Sequence, residues 1–285
     1  MGSTPDPVLR VPDFRRLVTA TTLSQLGDRL THMLLITVIA EARPGRLFGY
    51  AEGAMVFAVP TLLLCPIVGV LVDRWDKRRV LTVVHLIQSA LLFLTPLAIW
   101  LFRSFVPFWV ALPLFFGLDL FNNTASPALL PAIVGPDRIL RANSVSTTFG
   151  RLATILGMVA GGFLVRWVGW NLGLVVDACT HLCAGLVALT IATRVAAAPT
   201  RPQTLRHTVF AALCRFGSEL SDVLRLVGRS RIIGFVLGSI VVSTFIAAVS
   251  YTVLIYLIQQ VLGLGTPGVG VFTGILAVGM VGGAV

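Results

Sequence analysis

Eight stretches of apolar residues, each long enough to cross a bilayer, dominate this chain of 285 residues. They are Phe14–Ala40, Tyr50–Val72, Val80–Phe102, Phe105–Ala125, Val145–Val168, Trp170–Thr193, Ile232–Ile258 and Gly268–Val285. A helix needs about 20 such residues to span the hydrocarbon core, where every backbone polar group must be satisfied internally. Apolar residues make up 56% of the chain and charged residues 12%, against roughly 45–50% and 25% in soluble domains. A soluble enzyme, a disordered chain and a disulfide-stapled secreted domain are excluded, and the chain is read as all-α and membrane-integral. The first stretch is the weakest, because Asp28 and Arg29 interrupt it. Pro60, Pro66, Pro96 and Pro113 fall inside predicted helices, which a bundle tolerates. Cys65, Cys179, Cys183 and Cys214 read as reduced packing residues.

The net charge of +10 would suggest nucleic acid in a soluble chain. Here the basic residues lie in short runs between apolar stretches, with no interleaved aromatic and basic residues on a polar surface, so no nucleic-acid partner is expected. With the N-terminus inside, 16 of the 22 Lys and Arg residues fall in inner segments and four in outer ones (Arg43, Arg46, Arg103, Arg166). That bias predicts a cytoplasmic N-terminus in a cell membrane. The one long hydrophilic segment, residues 194–231, carries an Ala/Pro/Thr stretch and then Leu213, Phe216, Leu220, Val223, Leu224 and Val227 on one helical face. It predicts a basic cytoplasmic linker with an amphipathic helix against the inner lipid surface. The domain plan is therefore a six-helix bundle over 1–193, the linker over 194–231, and two further spans over 232–285.

Between the second and third spans stands Gly69-Val-Leu-Val-Asp73-Arg74-Trp-Asp76-Lys77-Arg78-Arg79. This resembles the loop signature of the major facilitator superfamily, with Gly69, Leu71, Asp73, Arg74, Lys77 and Arg78 matching and Asp76 where the general pattern has Gly. Gly69 is expected to let two helices approach closely. The resemblance implies that Asp73, Arg74, Lys77 and Arg78 form a gating latch that holds one conformation by ion pairs. Phe14-Arg-Arg-Leu with Ser24-Gln-Leu-Gly27-Asp28, Pro127-Ala-Leu-Leu-Pro131 followed by Arg141-Ala-Asn143, and Asp177-Ala178 resemble the enterobactin- and macrolide-exporter branch, the second of these being its loop between the fourth and fifth spans. Gly157-Met158-Val159-Ala160-Gly161-Gly162 resembles the fifth-span antiporter motif without its proline, and Gly157, Gly161 and Gly162 are expected to pack helices. The 52 positions from Leu17 to Gly69, counted from Ile232, end at Ala284. By that spacing the chain resembles a twelve-helix transporter cut after its eighth helix, with an incomplete second bundle.

An ionisable residue inside a membrane costs roughly 3 kcal/mol or more and marks a pathway or a pair. Asp28 and His32 lie four residues apart on one helical face, a candidate pair for proton coupling or substrate binding. Asp119 on the fourth span is the next candidate, with Asn122 and Asn123 beside it, and Arg151 is expected to snorkel or to pair with Asp119. Asp177, His181 and His85 are assigned structural roles. The polar residues Thr21, Thr22, Ser24, Gln25, Ser146, Thr147 and Thr148 are few among apolar neighbours, which suggests a lipophilic substrate. No metal-spaced cluster, nucleophile elbow or phosphate loop is present in the sequence, so no enzyme, metal or cofactor is expected. The reading is secondary active efflux of lipophilic small molecules by alternating access, coupled to protons. Uptake of a metabolite by the same fold, or a non-transporting membrane protein, remain the alternatives.

Overall fold

The computed structural model describes residues 8–42, 45–193 and 216–282, except 219 and 224. Among these the chain is helical and has no strand. After a single turn at Val8–Arg10 come α1 (Pro12–Ala42), α2 (Leu47–Arg74), α3 (Lys77–Phe102), α4 (Val106–Val134), α5 (Ile139–Leu189), α6 (Arg231–Tyr256) and α7 (Gly265–Gly282). The helix α5 is two spans end to end, broken at Gly169, where φ is +76°. Only glycine enters that region freely, which is why the fifth and sixth apolar runs part at this residue. A π-turn, Leu257–Val261, closes α6. Four helices and the α6–π-turn segment are long and apolar enough to cross a membrane. The 31 residues of α1 are long enough, but they carry Asp13, Arg15, Arg16, Asp28, Arg29 and Glu41.

Helix boundaries follow hydrogen bonding rather than hydropathy. The fourth helix runs through Pro127 and Pro131 to Val134, where the sequence suggested a loop. Each proline removes one amide, and the turn survives because the helix continues around it. Asp76 accepts the Arg79 amide at 3.1 Å and caps α3, which therefore begins at Lys77. Residues 216–229 of the linker are helical where described, with Phe216, Leu220 and Val223 exposed. Leu213, Cys214, Leu224 and Ala196–Pro202 lie outside the described residues.

The core splits into two apolar clusters with a polar layer between them. One cluster holds Met33, Leu34, Ile36, Leu92, Phe108, Leu112, Phe115, Leu174 and Ile258. The other holds Phe14, Leu17, Val72, Val80, Val84, Leu129, Val134, Ala142 and Ala188. Between the clusters, α1, α3, α4 and the second limb of α5 each contribute polar side chains: Ser24, Gln25, Asp28 and Thr31; His85, Gln88 and Ser89; Asp119, Asn122 and Asn123; and Asp177 and His181. Cys65, Cys179 and Cys183 are free but exposed on the outer surface of the bundle, so they do not fill the core.

Candidate functional site

Small residues position the polar layer. A Cβ at Gly157 would sit 2.8 Å from Arg29 Cβ and 2.9 Å from the Leu26 carbonyl, and one at Gly161 would meet Leu30 at 3.0 Å. These glycines let the first limb of α5 lie against α1. Gly162 serves a different crossing: its added Cβ would lie 2.9 Å from the Thr266 carbonyl and 3.1 Å from Pro267 Cα on α7. Gly69 does not match its expectation. Nothing lies within 4 Å of a Cβ built there. The contact of α2 with α4 instead runs through Pro60 and Leu64 against Gly117.

A cavity of about 220 Å³ opens in the polar layer, lined by α1 (Thr21, Ser24, Gln25, Asp28), α3 (Leu81, His85), α4 (Asp119, Asn122, Asn123, Ser126, Pro127) and α5 (Asn143, Ser146, Thr147). Only Leu81 and Pro127 among these are apolar, so the lining is far more polar than the sequence suggested. The difference has a physical source. The sequence puts Ser126 and Asn143 in or beside a loop and gives His85 a structural role, whereas the extended α4 and the packing of α3 turn them inward. Thr22 lies outside this cavity, in a separate groove beside Arg15 and Phe149. The Thr148 hydroxyl bonds back to the Ser144 carbonyl and is exposed. A larger apolar groove of about 620 Å³ between α3 and α4 lies on the outside of the bundle, where lipid would sit.

Asp28 and His32 do not pair with each other. His32 Nε2 lies 3.1 Å from the Tyr251 hydroxyl on α6, while Asp28 Oδ1 lies 3.7 Å from His181 Nε2. The i,i+4 spacing put both on α1's surface, but neighbouring helices approach the two side chains from different sides. Asp119 accepts a bond from Asn123 Nδ2 at 2.7 Å. Arg151 is exposed and joins neither Asp119 nor the cavity. The cation whose charge reaches Asp119 and Asp28 is Arg29. Asp177 and His181 are fully buried, Thr31 donates to Asp177, and His85 bonds to Asn122, which also donates to Gln88 Oε1 at 2.9 Å. Among the described residues no group of His, Cys, Asp and Glu could hold a metal ion.

At the α2–α3 turn, Lys77 Nζ donates to the Asp73 carbonyl at 2.9 Å, and Arg78 donates to the Leu189 carbonyl at the end of α5. Both cations thus satisfy helix C-termini, where the macrodipole favours them. The Asp73 side chain is exposed and Arg74 half-buried.

Hydrogen bonds bridge the helices at the opposite end of the bundle. Tyr50 donates to Gln259 Oε1 at 2.7 Å, Gln260 bonds Tyr50 and the Gly45 amide, and Thr37 meets Thr266 at 2.7 Å. These bonds join α1 and α2 to the segment from α6 to α7. The cavity, by contrast, is lined by residues from the middle and from the α2–α3 end of the helices.

Helices of membrane-crossing length around a polar cavity define a multi-pass membrane protein. The chain belongs to the Major Facilitator Superfamily, whose family model matches residues 17–285. Uncharacterised MFS-type transporters of Mycobacterium bovis and Mycobacterium tuberculosis are each 32% identical to it over 153 residues, 53% of this chain and 34% of theirs. One from Sinorhizobium fredii is 28% identical over 163 residues, 56% of this chain and 40% of its own length. The matched part thus spans between a third and two fifths of these curated relatives.

Proposed function

We propose that the protein is a secondary active transporter that moves small organic molecules out of the cell by alternating access, with Asp28 as the proton-coupling carboxylate. The observation that carries this reading is the cavity. It holds Asp28 and Asp119 at mid-depth and lies toward the α2–α3 end, while the Tyr50–Gln259 and Thr37–Thr266 bonds tie the helices together at the other end. With the N-terminus cytoplasmic, as the distribution of Lys and Arg supports, this is a state open to the cytoplasm. Substrate and proton then compete for Asp28, and release of one drives capture of the other. The latch at Asp73, Arg74, Lys77 and Arg78 engages in the alternate state, when the α2–α3 end closes. Residues 1–193 form the first bundle, 194–231 the cytoplasmic linker, and 232–285 belong to the second bundle.

The outward direction rests on the likeness of Phe14 to Asp28, Pro127 to Asn143 and Asp177-Ala178 to the exporter branch. The lining refines the substrate class. Hydroxyls, amides and carboxylates suit a molecule that is lipophilic in part but carries hydrogen-bonding or cationic groups. The same lining favours, as a second reading, uptake of a polar metabolite. Gradient-driven efflux of a fluorescent lipophilic cation from everted vesicles distinguishes the two. Asp28→Asn in the whole protein abolishes efflux at unchanged expression, and unimpaired efflux by that variant removes Asp28 from the coupling role.

A further inference from the structure

The least comfortable side chain in the bundle is His181. It is completely buried, and neither ring nitrogen has a hydrogen-bond partner. A buried polar group left unpaired is expensive. Yet Nε2 stands 3.7 Å from Asp28 Oδ1 and 3.6 Å from Asp177 Oδ1, so two carboxyl groups flank one nitrogen. One N–H can bond only one of them at a time. Movement of a few tenths of an ångström decides which. Gly27 makes the arrangement possible: a Cβ there would lie 2.5 Å from Asp177 Oδ1 and 2.9 Å from His181 Nε2.

We propose that Asp28, His181 and Asp177 form one proton-holding unit, in which His181 relays a proton between the cavity carboxyl Asp28 and the sealed Asp177. This deepens the proton-coupled reading above and rests on it. Asp28 lines the cavity, whereas Asp177 and His181 lie behind the wall and see no solvent. When substrate engages Asp28, the proton leaves its carboxyl oxygen for His181 Nε2. An acid and a neutral imidazole become a carboxylate and an imidazolium, and only an O–H and an N–H bond change. The Nε2 proton then passes to the Oδ1 of the Asp177 carboxylate, which Thr31 holds in place; the N–H bond breaks as the O–H bond forms, and the imidazole is neutral again. The return transfer restores the acid when the cavity empties. The other charged or titratable groups facing the unit are Arg29 on α1, His85 on α3, whose ring lies 5.7 Å from that of His181, and Asp119 on α4. Tyr251 on α6 faces His32 rather than the unit.

The test uses the whole protein in nanodiscs, with ¹⁵N-labelled histidine and ¹³C-labelled aspartate, read by NMR between pH 5 and 9. The loss of one signal in His181→Gln identifies that of His181. The unit shares its protons, so Asp28, Asp177 and His181 titrate with common midpoints. Asp28→Asn and Asp177→Asn each move the His181 midpoint by at least about one pH unit, a tenfold change in protonation ratio, while the His32 signal stays in place. Gly27→Ala, which displaces Asp177 and His181 without removing a titrating group, uncouples the midpoints. Separate midpoints in the unmodified protein, or a His181 signal indifferent to Asp28→Asn, overturn the relay. The readout needs neither substrate nor gradient. Its failure therefore leaves the transport reading standing, and failure of the efflux assay leaves this result intact.

Discussion

Gly270→Ala should pry open the end of the bundle opposite the α2–α3 turn. A Cβ at residue 270 would lie 2.5 Å from the Met158 carbonyl oxygen, where an ordinary contact is 3.4–4 Å. Both partners are helical backbone, so no side chain can swing away, and α7 must retreat from α5 by about 1 Å. Overpacking of this kind costs about 1–3 kcal/mol. At about 1.4 kcal/mol per tenfold, the population open at this end rises about 5- to 140-fold. The Thr37–Thr266 bond, 2.7 Å long at the same crossing, stretches with it. The reporter is Val269→Cys, at a position with no exposure, in a background with the four native cysteines replaced by serine. A membrane-impermeant maleimide labels it only when α7 moves away, so the labelling rate tracks the open population. Gly69→Ala, with nothing within 4 Å, is the control and leaves the rate unchanged. A Gly270→Ala rate within about twofold of its parent, at unchanged Tm, refutes the view that this crossing closes the bundle.

Other consequences are as direct. Tyr50→Phe removes the 2.7 Å bond to buried Gln259 and raises the same labelling rate by about fivefold, from about 1 kcal/mol of lost hydrogen bonding. Asp76→Ala removes the α3 cap and lowers stability by about 1 kcal/mol, whereas Asp76→Gly, which restores the general family pattern, costs only about a few tenths; denaturant titration of the two in detergent separates them. Burial opposes ionisation of Asp13, but bonds from the Thr193 hydroxyl, the Ala192 and Thr193 amides and Arg16 outweigh it and hold its carboxyl at about 2. A carboxyl lowered in the folded state stabilises above its ordinary value of 3.8 and loses that contribution as pH falls through about 2. Asp13→Asn therefore lowers Tm at pH 6, and thermal scans of the two proteins converge as pH approaches 2; a constant gap removes the carboxylate as the cause.

The sequence alone determined the helical membrane class, the break between the fifth and sixth spans, and the family signature, because each is a local property. Twenty apolar residues can only be helix in lipid, a glycine at 169 frees one backbone angle, and the loop from Gly69 to Arg79 is contiguous. It also placed Asp28 and Asp119 on α1 and α4. Tertiary structure alone decided their partners. Helical periodicity states which side chains share a face of one helix and nothing about which neighbour approaches it. Asp28 therefore meets His181 rather than His32, Arg29 rather than Arg151 reaches Asp119, and Gly162 packs against α7 while Gly69 faces open space. Hydropathy also hid the cavity's polarity. Its windows end helices where charge or proline begins, whereas hydrogen bonding carries α4 to Val134 and starts α5 at Ile139, bringing Ser126 and Asn143 into the wall.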